Sequence, residues 1–167
     1  MNPQDEFVQI VDRHNNETGS APRHEMRARG LVHRATYILV FNSKGRIFVH
    51  KRTMNKDVYP GYYDVAAGGV VLDGESYDES ARRELEEELG IRDTDLTPHF
   101  TFFYEDGTNQ VWGRVYSCTH DGKLTLQAEE IESGFFAPPE DVLALGGKEP
   151  FTPDGLYVLK RYLREKA

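Results

Sequence analysis

The stretch from Gly69 to Ile91, GVVLDGESYDESARRELEEELGI, limits what this chain can become more than any other part of it. Ser76 followed three residues later by Glu79 has the spacing of a capping box, and Gly90 stands where a left-handed glycine ends a helix. Between those signals Ala81, Leu85 and Leu89 recur every four residues, so one side of the helix is apolar and requires a core. Glu84, Glu87 and Glu88 fall at i, i+3 and i+4 and share another face. Three carboxylates held that close repel one another unless a positive charge lies between them. A hard divalent cation such as Mg²⁺ or Mn²⁺, which prefers oxygen ligands, suits that position.

The rest of the composition bounds the class. A chain of 167 residues is long enough for one domain with a real core and short for two, so residues 1–167 are read as one domain. A formal net charge of −8 argues against binding nucleic-acid polymers, whose phosphates need a basic surface. It leaves room for a small anionic substrate, because a metal and a few local cations reverse the field inside a site. The single cysteine, Cys118, excludes an intrachain disulfide and a CxxC metal knuckle and fits a reducing compartment. The opening MNPQDEFVQIVD is polar and acidic, unlike a secretory signal, and no apolar run approaches the ~18 residues of a membrane span. The expectation is a cytoplasmic protein with no membrane partner. Oligomeric state is not readable, and a homodimer is the working expectation.

Along the chain, Phe7 to Val11 reads as a strand, followed by a polar turn around Asn15, Asn16 and Gly19. Ser20 is expected to cap a short helix with Pro22 in its first turn and Gly30 at its end. Ala35 to Phe41 is β-branched, aromatic and continuous, the pattern of a buried strand; Asn42 to Gly45 turns it into a second strand, Arg46 to Arg52. Thr53 to Gly61 is a loop, and Tyr62 to Ala66 is a short strand leading to Gly68 and Gly69. Phe100 to Tyr104 and Val111 to Cys118 flank Asp106-Gly107 as antiparallel strands, and Lys123 to Leu126 is expected to form another after Asp121-Gly122. Ser133 to Phe136 is a further strand. Pro138 to Asp141 opens a helix ending near Gly146 and Gly147, and Thr152 to Asp154 caps a last helix to about Glu165. Strands mixed with helices, without strict βαβ alternation, predict an α+β fold or a mixed-sheet sandwich.

The central segment resembles the Nudix box, G-x5-E-x7-R-E-U-x-E-E-x-G-U with U aliphatic. Gly69, Glu75, Arg83, Glu84, Leu85, Glu87, Glu88, Gly90 and Ile91 fill every fixed position, a chance match on the order of one in ten million. The wider resemblance, to YfcD-like Nudix hydrolases, extends through HRATYILVF, Pro60-Gly61 and AAGG before the box and FTPD at the last helix. It implies an α/β/α sandwich around a mixed β-sheet and Mg²⁺-dependent hydrolysis of a nucleoside diphosphate linked to another group X. In that reaction water attacks phosphorus while the metal neutralises developing charge and lowers the pKa of the water. Glu84, Glu87 and Glu88 are the expected metal ligands. Arg83, always cationic, cannot be one and is expected to pair with a carboxylate such as Glu87 one turn on. Gly68 and Gly69 are expected to let the backbone pass close to phosphate and metal, with φ > 0 tolerated there. Glu75, at the helix N-terminus, is given a structural role with at most a minor metal contact.

Outside the box the signals are thinner. Nudix enzymes often add a glutamate from a later loop as base or ligand, and Glu130 is chosen from Glu129, Glu130 and Glu132. Arg52 is expected to meet substrate phosphate. His33 aligns with a metal-binding histidine of isopentenyl diphosphate isomerase, which shares this layout, but a lone histidine at a strand entrance is more often a structural hydrogen bonder. Tyr59, Tyr62, Tyr63 and Trp112 are candidates to stack on a base, against the ordinary role of aromatics as core. Two other functions compete. The isomerase needs a cysteine just before the box, where this chain has Ala67 and Gly68, and a histidine near Val70. A non-catalytic, nucleotide-sensing Nudix module usually loses box glutamates, and this chain keeps them.

Overall fold

A computed structural model describes residues 1–166. After a 3₁₀ turn at Pro3–Asp5 come β1 (Phe7–Val11), β2 (Glu17–Pro22), α1 (Arg23–Arg29), β3 (His33–Phe41), β4 (Ile47–Arg52), β5 (Tyr63–Asp64), α2 (Tyr77–Leu89), β6 (Thr97–Glu105), β7 (Gln110–Thr119), β8 (Ile131–Ala137), α3 (Pro139–Gly146) and α4 (Pro153–Lys166). The fold is α+β, with one mixed sheet between two helical layers. β3 is its axis. It runs parallel to β7 along its full length, from His33 opposite Val111 to Phe41 opposite Thr119. On its other side Ile38 bridges Ala67 and Ala35 bridges Val70, which brings the glycine turn at residues 68 and 69 onto the sheet.

The β3–β4 hairpin is paired in register only at Phe41 and Ile47. β4 then leaves β3 for β8 and β5. This divergence opens the middle of the molecule, where the candidate site residues gather.

Side-chain alternation decides which layer covers which face. Tyr37 and Leu39 of β3, Ile47 and Val49 of β4 and Val115 of β7 face α3 and α4, packing with Val142, Val158 and Leu159. Ile38 and Val40, Phe48, and Tyr116 with Cys118 face α2, packing with Ala81, Leu85 and Leu89. The apolar stripe of α2 is therefore buried as its spacing requires. The Ser76–Glu79 capping box is formed in both directions, and Gly90 ends the helix with φ 70°.

Two local expectations fail. Ser20 caps no helix; it lies in β2 opposite Gln9, and α1 starts after Pro22 with no side-chain cap. The β1–β2 ladder uses the backbone through residue 22, so the helix starts only once the pairing stops. Lys123 to Leu126 forms no strand. Thr125 N–H donates to Leu89 O and Gln127 N–H to Glu88 O, so this segment satisfies orphan carbonyls at the end of α2 instead of joining a ladder.

Candidate active site

One wall of the central groove is the acidic face of α2. Exposure is graded along it: the Glu87 side chain is 49% exposed, that of Glu84 12%, and Glu88 is 6% exposed overall. Arg83 organises this face. Its guanidinium donates to Glu75 at 2.6 and 3.0 Å, to Glu84 at 2.8 Å and to Glu87 at 3.2 Å. Arg83 thus does reach Glu87, but its main partner is Glu75, gripped by two nitrogens. Glu75 in turn accepts Leu72 N–H at 2.9 Å, which ties the loop before the helix to the helix itself. Burial works against the charge on Glu75, yet the Arg83 and Leu72 bonds hold its pKa below the ordinary value.

The glycine turn fits against these carboxylates. Gly68 N–H donates to Glu88 Oε1 at 2.7 Å. Gly68 has φ 131°, and a Cβ there would collide with Thr36 O. At Gly69 the reason for glycine is space: φ is not positive, and a Cβ would lie 2.7 Å from Glu84 Oε1.

The facing wall carries Glu129, Glu130, Lys56, Asp57 and Arg23, and the groove between the walls has a volume of about 420 Å³. Lys56 forms an ion pair with Glu130. Glu130 also pins the loop through its backbone, its carbonyl accepting Thr53 N–H. Arg27 holds Asp57 at 3.0 Å.

The donor set suits a hard cation. Glu6, Asp57, Glu84, Glu87, Glu88, Glu129 and Glu130 line the groove against only Arg23, Lys56 and Arg83. Burial, reinforced by Glu84, pushes the pKa of Glu88 up to about 8; burial also raises Glu84, against the pull of Arg83. Among the described residues, no three acidic, histidine or cysteine side chains already stand as a finished metal cage. Arg83 donates to Glu84 and Glu87, Gly68 N–H donates to Glu88, and Lys56 pairs with Glu130.

The other expected residues divide. Glu132 pairs with Lys51 at 3.6 Å and does not line this groove. Arg52 is turned inward: it donates twice to Val58 O and lies 3.6 Å from Asp64. His33 is buried, with Nδ1 3.0 Å from Leu31 O, and burial followed by Arg27 pushes its pKa down to about 4. Of the four aromatics only Tyr59 lines the opening. Tyr63 stacks on Phe151, and Trp112 packs with Phe103 and donates to Arg13 O. Cys118 is buried in the α2-side core, its thiol pushed up to about 11 by burial, and it lines neither the groove nor the opening beside it. Arg23, Arg27, Lys56 and Asp57 escaped the sequence reading. Arg23 and Arg27 come from α1 and Lys56 and Asp57 from the loop after β4, segments with no motif, and only their place around the groove shows them.

Comparisons with known proteins agree with this geometry. The NUDIX domain family profile matches residues 31–161, well over half of the chain. The chain is 49% identical over 158 residues to the uncharacterized Nudix hydrolase PA4841 of Pseudomonas aeruginosa, covering 95% of this chain and 94% of that one. It is 43% identical over 162 residues to the uncharacterized Nudix hydrolase YfcD of Escherichia coli, covering 97% and 89%. Among solved structures it is similar to DR0079 from Deinococcus radiodurans, with a TM-score of 0.83 and 26% identity over 93% of this chain and 98% of that one. The box, the sandwich and these relatives together establish that the chain belongs to the Nudix hydrolases, enzymes that act on pyrophosphate bonds.

Proposed function

We propose that the protein hydrolyses a nucleoside diphosphate linked to another moiety, with Mg²⁺ (or Mn²⁺) held by Glu84, Glu87 and Glu88. The observation that carries this reading is the α2 face itself: three carboxylates of graded burial, held by Arg83 and Gly68 N–H across a groove from Arg23 and Lys56. A bound Mg²⁺ supplies charge neutralisation on the phosphate oxygens and a more acidic water.

The chain's own residues do the rest. Arg83 and Glu75 fix the rotamer of Glu84, so its position is set before substrate arrives. Gly68 and Gly69 let the turn lie against Glu88 and Glu84 without a Cβ between them. Arg23 and Lys56, from the facing wall, bind the phosphates and offset their charge. Water oxygen bonds to phosphorus as the bridging P–O bond breaks, and the departing phosphate keeps the electron pair. Glu130 accepts the proton lost by the water, after Lys56 has turned from it to a phosphate. The substrate is a small diphosphate. Among the described residues no helix is long and apolar enough to cross a membrane.

The test is a Mg²⁺-dependent release screen over nucleoside di- and triphosphates, nucleotide sugars, dinucleotides and isopentenyl diphosphate. Cleavage of at least one nucleoside diphosphate derivative, abolished by chelation, is expected. Isomerisation of isopentenyl diphosphate, or inertness toward every compound, would overturn the reading.

A further inference from the structure

Residues 2–6 form part of the groove wall. Asn2, Pro3, Gln4 and Glu6 line it beside Arg23, although the matched family domain begins only at residue 31. This stretch is a closed turn. Asn2 Oδ1 accepts Gln4 N–H at 2.9 Å, while Asn2 O and Pro3 O accept the N–H groups of Asp5 and Glu6 at 2.9 and 3.2 Å. The turn is fastened to α1. Glu6 O accepts Arg23 N–H at 2.8 Å, and His24 Nδ1 lies 2.8 Å from Gln4 O. The strand that follows is seated in turn: Val8 of β1 packs with Met26 of α1 and Val70, and Gln9 N–H donates to Val71 O. No residue of Pro3–Asp5 is buried, so core packing does not explain the fastening.

What the turn does hold is the Arg23 guanidinium. Nε donates to Pro3 O at 3.2 Å, and Nη2 lies 3.8 Å from the Glu6 carboxylate. Among the described residues Nη1 has no hydrogen-bond partner. The other arginines nearby are committed to carboxylates. Arg83 serves Glu75, Glu84 and Glu87, Arg27 is tied to Asp57 and Asn109, and Arg52 lies against Val58 O and Asp64. Lys56 pairs with Glu130. Arg23 differs in kind. Its nearest partner is a carbonyl, which orients the guanidinium without cancelling its charge, and the carboxylate beside it is beyond hydrogen-bond distance. The guanidinium is planar and rigid, so holding it at Nε fixes where Nη1 points.

We propose that the turn of residues 2–6 is a positioning element of the active site, holding Arg23 so that Nη1 is presented to a phosphate of the substrate. Asn2 and Pro3 are then positioning residues that act through Arg23. The proposal rests on the hydrolase reading for the presence of a phosphate in the groove. The gain is preorganisation: an arginine gripping a ligand loses rotamer freedom, and one already held by the fold loses less at that moment.

The test is a double-mutant cycle read by calorimetry on the full chain in Mg²⁺ buffer. The probe is α,β-methylene adenosine diphosphate, whose P–C–P bridge water does not cleave. Asn2→Ala combined with Pro3→Gly removes the cap and loosens the turn at two exposed positions. This variant should melt like the parent and bind the probe about three- to tenfold more weakly, the scale of one ordinary hydrogen bond. Arg23→Met keeps the apolar stem and removes the guanidinium. It should weaken binding at least as much, and in its background loosening the turn should change nothing further. His24→Ala, which cuts the Gln4 contact, should repeat the effect from the α1 side, and Asn2→Ser, which keeps a capping oxygen, should bind like the parent. On any nucleoside diphosphate derivative that is cleaved, the loosened variant should raise KM by the same factor and leave kcat unchanged. No binding of the probe by the parent, parent-like binding by both the loosened variant and His24→Ala, or equal weakening with and without Arg23 would overturn the proposal. The expected binding pattern in a protein that cleaves no such derivative would sink the hydrolase reading and leave the role of the turn standing.

Discussion

Lys56 shows how much one side chain decides in this groove. Its ammonium pairs with Glu130 and also acts on Glu88, so it puts a positive charge beside the carboxylates proposed to hold the metal. A divalent ion held by those carboxylates would compete with it. Lys56→Gln is therefore expected to tighten Mg²⁺ binding about 3–10-fold in a substrate-free titration, the range of one partly exposed ion pair. Unchanged or weaker Mg²⁺ affinity would show that Lys56 does not compete. The glycines carry a different lesson. A sequence reading takes Gly69 as conformational freedom, yet the backbone there needs none; what it needs is the volume that Glu84 fills. That distinction depends on a contact across fifteen residues, and no local pattern contains it.

At the scale of elements, α2 couples site and core. The same four-residue spacing that buries Ala81, Leu85 and Leu89 against β3 and β7 turns the glutamates to the groove. Leu85 is 1% exposed, and Leu85→Ala is expected to cost about 2–5 kcal/mol in urea unfolding. Parent-like stability would mean that the helix does not dock as described. The elements legible in the sequence are those with strong local signals. β3 is a continuous apolar run, α2 has its capping box and terminal glycine, and α3 and α4 start at prolines. The two misread segments had local signals that tertiary pairing overrode. Ser20 looks like a cap but is claimed by the β1–β2 ladder, and Lys123 to Leu126 has a turn before it but spends its backbone on the end of α2.

Across the whole molecule, the divergence of β3 from β4 brings distant residues into one interior. The box glutamates were legible because they lie within one helix. Tyr37, His50, Asp64 and Asp154 were not, because each sits alone in its element and only the sheet order unites them. Arg23 and Arg27 come from α1, outside the matched family domain. This interior has a pH signature. Burial, then Arg52, pushes the pKa of His50 from 6.5 down to about 3. The unfolded chain therefore binds a proton first on acidification, and the contribution of His50 to stability, present above about pH 6.5, is lost as pH falls toward 3. The stability gap between parent and His50→Gln should narrow by about 1.4 kcal/mol between pH 7.5 and 5.5, measured by urea unfolding. A gap independent of pH would contradict a buried neutral imidazole. The central claim, that the α2 face is the metal-binding machinery of a hydrolase, meets its most direct test in Glu87→Gln. This side chain is half exposed and outside the core, so the variant should melt like the parent and lose Mg²⁺-dependent turnover by about 100-fold or more; a folded Glu87→Gln protein with parental turnover would contradict the account.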